Sequence, residues 1–160
     1  MRKWRIALLP LVLAGCIENQ VLDRGRVTEV TEEHFGSDLM PIEVGPVVVS
    51  GNYAIADWTQ GQFGGRALYE RYGGSWMLLL CSGDSVRRAA NLERAGVPTF
   101  NAQQMAEQLA AAEATLPRER LSRLKRFVGT AEDHRKYLES LQSSRAASPP
   151  AVIRDPPAAQ

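Results

Sequence analysis

The stretch PVVVSGNYAIADWTQGQFGGRALYERYGGSWMLLLC, residues 46–81, decides the fold. It contains two tight-turn dipeptides, Gly51-Asn52 and Gly73-Gly74, of the kind that join antiparallel strands in hairpins. Apolar and β-branched residues flank these turns and alternate with other residues along the segment 53–59, as they do in strands. The pattern predicts four strands joined as an antiparallel meander, at residues 46–50, 53–59, 66–72 and 75–81. Such a sheet needs a cover on at least one face to be stable.

Helical patterns follow the strands. Three helical segments are predicted to begin at Ser82 or Asp84, at Asn101 and at Pro117. A run of strands followed by a run of helices is typical of the α+β class. We therefore predict a four-stranded antiparallel meander sheet packed by C-terminal helices, loosely cystatin-like in shape.

The charge balance narrows the classes of function. The chain has 160 residues, 23% of them charged, and a formal net charge of +1. A nucleic-acid surface would need a clear excess of basic residues, so we expect no nucleic-acid partner. The length is typical of one domain with a modest core.

The N-terminus has the layout of a secretory signal. Three basic residues precede an apolar segment, residues 6–14, that is too short to span a bilayer. The segment ends in LAGC, residues 13–16, which resembles the bacterial lipobox, in which the cysteine is lipidated and becomes the first residue of the mature protein. The alternative is an ordinary signal peptide that happens to end near Cys16. Because Ile17 and not aspartate follows Cys16, the motif favours the outer membrane, facing the periplasm of the bacterial cell envelope.

Lipid would hold the protein to the membrane without help from charge. Removal of residues 1–15 takes away three basic residues, which leaves 16 basic against 18 acidic and a net charge of about −2. Acyl chains on Cys16 would supply the anchor, since stable anchoring needs more than one chain or a basic patch.

The domain organisation follows from these patterns. A polar, mixed segment is expected to tether the domain, and a short helix at residues 28–35 opens the folded part. Residues 131–142 are predicted to form a last charged helix, followed by a tail of Ser, Ala and Pro that cannot bury enough apolar surface to order itself. The predicted organisation is a signal peptide at 1–15, a lipidated N-terminus and tether at 16–27, one α+β domain at 28–142 and a disordered tail at 143–160.

Cys81 is the residue whose side chain could take part in the most kinds of chemistry. If Cys16 carries lipid, Cys81 has no cysteine partner within the chain, which is unusual in an oxidising compartment. Its side chain has three interpretations. It packs in the core at the end of a strand, it is a soft ligand for Cu(I) or Zn, or it is an enzyme nucleophile with a histidine as base. A helix that starts just after Cys81 would lower the thiol pKa and favour the last two interpretations.

Three residues are candidate helpers of Cys81 in a metal site. Met77 lies four residues before Cys81 on the same predicted strand, so both side chains are expected on one face. His34 and Met40 bracket the segment that leads into the sheet. No pair has a diagnostic spacing such as C-x-x-C or H-E-x-x-H, so copper is a candidate cofactor on weak grounds. The flanks of Cys81 also lack the signatures of cysteine hydrolases, so we do not expect an enzyme.

The glycine-rich segment 60–65 is a second candidate site. It lacks the G-x-G-x-x-G order of a dinucleotide-binding turn, which makes phosphate binding an unlikely role. A long hairpin loop is the plain interpretation, and a binding edge with an exposed aromatic residue is the functional one. The residues assigned to this predicted binding loop are Trp58, Gln60, Gly61, Gly65, Arg66 and Asp84.

Several short segments of this sequence occur together in one family. The segments VVVSGNYAIADWTQG, GGRAL, GSW and LCSGD, followed by AGVP at 95–98 and AAAEA at 110–114, resemble small exported bacterial proteins described as copper uptake system-associated proteins. The resemblance covers residues 42–130. It implies an association with copper genes and carries no ligand set over to this chain. The chain differs from the family pattern after residues 129–130, where it adds the charged helix and the Pro-rich tail.

Two functions are expected from the sequence. The first is a lipid-anchored, non-enzymatic envelope protein associated with copper uptake or handling, with copper bound through Cys81. The alternative is a metal-free accessory domain that docks on a membrane transporter or receptor through the Gln60–Arg66 loop.

Overall fold

A four-stranded antiparallel sheet forms the centre of the molecule. The computed structural model describes residues 14–127, with side chains from residue 19 onward. The strands follow one another in chain order, which confirms the predicted meander and the α+β class. The elements are α1 (Ala14–Phe35), β1 (Ile42–Ser50), β2 (Tyr53–Gln60), β3 (Phe63–Tyr72), β4 (Ser75–Ser82), a 3-10 turn (Ser85–Arg87), α2 (Ala89–Arg94), α3 (Thr99–Glu113) and α4 (Arg118–Leu124).

Two-residue turns join all four strands. Gly51 and Gly73 have φ of +60° and +58°, where a side chain would be strained, so glycine suits both predicted turns. The connection between β2 and β3 is as short, because Gln60 pairs directly with Phe63 across Gly61-Gln62. The predicted long loop at 60–65 is therefore wrong: Gly64 and Gly65 lie within β3.

Helices cover both faces of the sheet, whereas the sequence predicted cover from the C-terminal helices alone. On the first face α1 packs its Val27 and Phe35 against a core that includes Trp58 and Tyr69. On the second face the C-terminal helices enclose Ile55 and Leu68, together with Leu92, Val97, Ala102, Met105 and Leu109. The alternation of residues along β2 and β3 separates these two cores, as period-two side-chain placement requires.

Helix α1 extends across the segment that was predicted to be a tether. Residues 17–27 are helical, and the side chain of Val27 is fully buried. The carboxylate of Asp23 pairs with Arg71 of β3, and the hydroxyl of Thr31 donates to the Tyr69 hydroxyl at 2.9 Å. The folded part therefore begins by Asp23, and the predicted boundary at residue 28 is too late.

The segment after β4 differs from the predicted single helix that ends near residue 95. The 3-10 turn comes first, and α2 begins only at Ala89. The predicted helix at 131–142, the tail at 143–160 and residues 1–13 of the signal peptide lie outside the described residues.

Each edge strand contains a bulge. In β1, Gly45 and Pro46 together lie opposite Asp57 of β2, because Val44 pairs with Trp58 and Val47 with Ala56. In β4, Leu79 has no partner, because Leu78 pairs with Tyr69 and Leu80 with Leu68. A bulge inserts one residue and so reverses the face on which the following side chains lie.

The chain after α4 wraps from one face of the sheet to the other. The carbonyl of Leu124 accepts a hydrogen bond from Arg66 on the second face, and the ring of Phe127 packs on Trp58 on the first. Between them, Lys125 passes against Gly83, where a Cβ would lie 3.0 Å from the Lys125 carbonyl oxygen. At Gly65 a Cβ would lie 3.0–3.1 Å from Phe127. The glycines of the words GGR and SGD therefore make room for this crossing.

The substitution Gly65→Ala tests the crossing. We expect it to lower the free energy of unfolding by about 1–3 kcal/mol, because the added methyl overpacks against Phe127. Gly25→Ala is the matched control, since its Cβ meets nothing within 4 Å in the middle of α1 and should stabilise the helix by up to about 1 kcal/mol. Urea unfolding followed by tryptophan fluorescence measures both; an unchanged Gly65→Ala variant would contradict the crossing.

Candidate functional site

Trp58 is a core residue and not an exposed binding residue. Its side chain is fully buried. Its ring stacks on Phe35 with centroids 4.5 Å apart and planes 12° apart, and it meets Phe127 edge-on at 5.8 Å. The predicted exposure of Trp58 at a binding edge is therefore wrong.

Cys81 belongs to the same aromatic cluster. Its sulfur accepts a hydrogen bond from Trp58 Nε1 at 3.4 Å, and its side chain packs against the core of the first face. Burial raises the pKa of the Cys81 thiol to about 12, although the bonds from Trp58 and from backbone N–H groups partly oppose that rise. The expected lowering of the pKa by a following helix does not occur, since a 3-10 turn and not a helix is the next element. A protonated, half-buried thiol is not an activated nucleophile, and it has to lose its proton before it can bind a metal as a thiolate.

Met77 lies on the face opposite to Cys81. It pairs with Glu70 and is 54% exposed, while Cys81 packs with Trp76 and Leu78 on the first face. The bulge at Leu79 lies between the two residues and changes the phase of the strand. The predicted common face of Met77 and Cys81 is therefore wrong.

The other candidate ligands have their own partners. The ring of exposed His34 bonds through Nδ1 with the Val30 carbonyl oxygen at 2.9 Å, within α1. The Met40 sulfur lies against Gly61, at 2.8 Å from where a Cβ would stand. Within residues 19–127, no group of three or more His, Cys, Asp and Glu side chains could hold a metal ion. The structure therefore does not bring Met77 to the Cys81 sulfur, which accepts a hydrogen bond from Trp58.

Gln60 and its neighbours are mostly enclosed. The Gln60 side chain is 1% exposed and donates from Nε2 to the Met40 carbonyl oxygen at 3.0 Å. Gly64 and Gly65 are buried, and only Gly61 and Gln62 at the tip of the turn are exposed. The predicted binding loop is thus a short hairpin turn on a buried base.

Arg66 forms the most connected polar cluster of the described structure. Its side chain is fully buried on the second face, and its Nε lies 2.6 Å from Glu113 Oε1 of α3. Its Nη1 donates to the carbonyl oxygens of Gly83 and Leu124, at 3.0 and 3.3 Å, and to Asp84 Oδ1 at 3.3 Å. One guanidinium thus connects β3 to α3, to the exit of β4 and to α4.

Glu113 is a cluster member that the sequence analysis did not single out. It is 1% exposed, and its second oxygen pairs with Arg87 Nε at 2.9 Å. Its position carried a signal, because it continues the spacing of Met105 and Leu109 along the apolar stripe of α3. A glutamate on such a stripe needs a buried partner, and Arg66 is that partner.

Asp57 lies beside Arg66 and Glu113, and the pKa of its carboxyl group is raised. It is fully buried, and its Oδ1 is 3.7 Å from Arg66 Nε. Burial, then the charge of Glu113, raises the pKa of Asp57 to about 8; Arg66 and Arg120 oppose that rise, and a hydrogen bond to Glu113 adds to it. Neither Asp57 oxygen receives a hydrogen bond from a donor in the described part of the chain. A protonated Asp57 solves this, because it donates its own hydrogen to the Glu113 carboxylate.

The geometry therefore defines a polar cluster centred on the buried side chains of Arg66, Asp57 and Glu113, with the more exposed Asp84 and Arg87 at its edge. The aromatic cluster against which the half-buried Cys81 packs lies on the other face of the sheet. Comparison of the chain with protein-family models, with curated proteins and with solved structures gave no match. None of the helices within residues 14–127 is both long enough and apolar enough to cross a membrane.

The substitution Asp57→Asn tests the buried proton. Between pH 4 and about 8 the folded chain holds a proton on Asp57 that the unfolded chain has released, so the free energy of unfolding falls as the pH rises through this window. An asparagine cannot ionise and donates to Glu113 at every pH. We expect the stability of Asp57→Asn relative to the parent to rise by more than about 1 kcal/mol from pH 5 to pH 8.5, since one pKa unit corresponds to about 1.4 kcal/mol. Urea unfolding at both pH values measures the change, and parallel stability curves for the two proteins would contradict a protonated Asp57.

The substitution Arg66→Met tests the guanidinium. It leaves the Glu113 carboxylate buried beside Asp57 without its closest partner, so we expect a loss of about 3–5 kcal/mol in the free energy of unfolding. Arg123→Met is the matched control, because Arg123 makes one hydrogen bond, to the Gly61 carbonyl oxygen at 3.0 Å in an exposed setting. Its loss should stay below about 1 kcal/mol. Equal losses for the two variants, again by urea unfolding, would show that Arg66 has no special role.

Proposed function

We propose that the chain is a lipid-anchored, non-enzymatic accessory protein of the bacterial envelope, associated with copper uptake or handling, which acts by contacting other proteins and does not bind copper through Cys81. The observation that carries this proposal is the setting of the Cys81 sulfur: the half-buried sulfur packs against the aromatic core, accepts a hydrogen bond from Trp58 Nε1 and has a raised pKa that keeps the thiol protonated. This favours the docking alternative over the copper-ligand hypothesis.

The anchoring part of the proposal rests on the sequence. The basic, short apolar N-terminal segment and the lipobox-like LAGC place lipid on Cys16. The copper association rests on the resemblance over residues 42–130. A membrane copper transporter or receptor is the partner that this association implies.

The predicted Gln60–Arg66 loop offers a smaller docking surface than expected. Arg66 and Gln60 are buried and hold the fold together. A contact through this region would involve the exposed Gly61 and Gln62 and the partly exposed Phe63. We therefore expect the partner surface to extend to other parts of the domain.

An anaerobic titration with Cu(I) in the presence of a competing chelator tests the proposal. We expect the full-length protein to take up no Cu(I) that depends on Cys81, so that Cys81→Ala and the parent give the same curve. In a parallel measurement, the thiol of the folded protein should react slowly with an alkylating reagent at pH 7 and quickly in urea, because burial keeps it protonated.

Two results would overturn the proposal. One is uptake of one Cu(I) per chain that disappears in Cys81→Ala while thermal unfolding of the variant remains cooperative. The other is fast alkylation of the folded protein, which would reveal an accessible thiolate and restore the metal or nucleophile interpretation. Met77→Leu serves as a control, since its exposed sulfur lies on the other face.

A further inference from the structure

The two edges of the sheet are built differently. The β1 edge is protected: it carries the bulge at Gly45 and Pro46, and proline has no N–H to donate to a neighbouring strand. Arg120 of α4 donates to the carbonyl oxygens of Glu43 and Gly45, at 3.3 and 2.5 Å, and pairs with the Glu43 carboxylate. Charges, proline and bulges are the devices by which proteins prevent pairing at an edge.

The β4 edge has little such protection. Its sequence SWMLLLCS contains no charged residue and no proline, and its bulge at Leu79 is the one protective device present. Within residues 14–127, no strand pairs with the outer side of β4. An apolar edge strand with so little protection presents a row of free backbone groups to another strand.

Exposed apolar side chains lie at the same edge. Met77 is 54% exposed and Leu79 is 41% exposed, and Tyr72 at the neighbouring end of β3 is 75% exposed. We call these three residues the β4 strip. Met77 lies opposite Glu70, whose carboxylate accepts a hydrogen bond from the Tyr53 hydroxyl at 3.1 Å, so the nearest acid already has a partner. The strip is therefore apolar and carries no charge of its own.

We propose that the β4 edge is a self-association surface, on which β4 of a second copy of this chain pairs antiparallel to form a continuous eight-stranded sheet. A two-fold interface must be complementary to itself. An uncharged strand meets this condition because two copies do not repel each other. A pairing centred on Leu78 places Met77 of one copy beside Leu79 of the other, at both ends of the axis, and buries both side chains. This inference does not depend on the proposed function.

Sedimentation of the full-length protein, with its detergent accounted for, tests the proposal. We expect a dimer at micromolar concentration. Met77→Lys should raise the dissociation constant at least tenfold, because it places a charge in the self-paired strip. The variant should still fold, since the new ammonium lies opposite Glu70 in the sheet register and gains a cross-strand ion pair. Its thermal midpoint, measured by circular dichroism, checks this.

Phe100→Lys is the matched control. Phe100 lies in the first turn of α3, away from β4. Its side chain is apolar and 72% exposed, so it is at least as accessible to solvent as Met77. It should leave the dimer unchanged. A dimer that Phe100→Lys weakens as much as Met77→Lys would overturn the proposal, because a general loss of apolar surface would then explain the effect. A parent protein that sediments as a monomer at tens of micromolar would also overturn it.

Hydrogen exchange of the peptide that spans residues 75–82 provides the second measurement. About half of its amides point to β3 and stay protected in a monomer, so the informative amides are those that point away from β3. Their protection should fall as the parent protein is diluted below the dissociation constant, and in Met77→Lys it should stay at that lower level at every concentration. Strong protection of these amides in the diluted monomer would mean that another part of the same chain covers the edge, which would overturn the proposal. A dimer in which these amides are no better protected than in the monomer would place the interface elsewhere and have the same consequence.

Discussion

The structure depends on the buried guanidinium of Arg66. A charge at a fully buried position is costly unless it is paired, and the chain pairs Nε and Nη1 of this guanidinium with Glu113 from α3, Asp84 after β4 and two backbone carbonyl oxygens, while Nη2 has no hydrogen-bond partner among the described residues. These partners come from three places in the sequence, so the bonds of Arg66 form only when the C-terminal helices are correctly seated on the sheet. The hydrophobic cores stabilise that arrangement, and Arg66 specifies it. Asp57 completes the cluster by holding a proton, which leaves one buried negative charge and not two beside the guanidinium.

The words that carry the resemblance to copper uptake system-associated proteins meet in this same region. Gly64 and Gly65 directly precede Arg66, and Gly83 and Asp84 come shortly after Cys81. Trp58 of β2 pairs with Gly65 of β3. Each has a structural reason: the glycines admit the chain between Arg123 and Phe127, and the charged residues bind one another. Packing and ion pairing within this chain therefore account for these segments.

The sequence predicted the meander because strands and glycine turns leave a local, period-two record. The prediction from sequence failed where the role of a residue depends on a contact with a distant part of the chain. The glycines at 64 and 65 resemble a loop when considered locally, yet they admit Arg123 and Phe127 about sixty residues later in the chain. The bulge at Leu79 changes no residue type in an all-apolar run, so Met77 was assigned to the wrong face. Residues 17–27 of α1 were predicted to be a tether because they are polar and mixed, although Asp23 and Val27 continue the spacing of four that Thr31 and Phe35 have in the predicted helix at 28–35. Glu113 could have been found in the same way, from its place on the apolar stripe of α3.

The thiol of Cys81 is half-buried, and among the described residues it has no cysteine partner. Oxidation and metal capture both need the thiolate or an accessible sulfur. The raised pKa keeps the thiol protonated, and the indole N–H of Trp58 occupies the sulfur from inside the core. Trp58 is in turn fixed between Phe35 of α1 and Phe127 of the C-terminal crossing. The thiol is thus held by elements from both ends of the described residues. Its packing, its hydrogen bond and its raised pKa account for Cys81 as a part of the aromatic core.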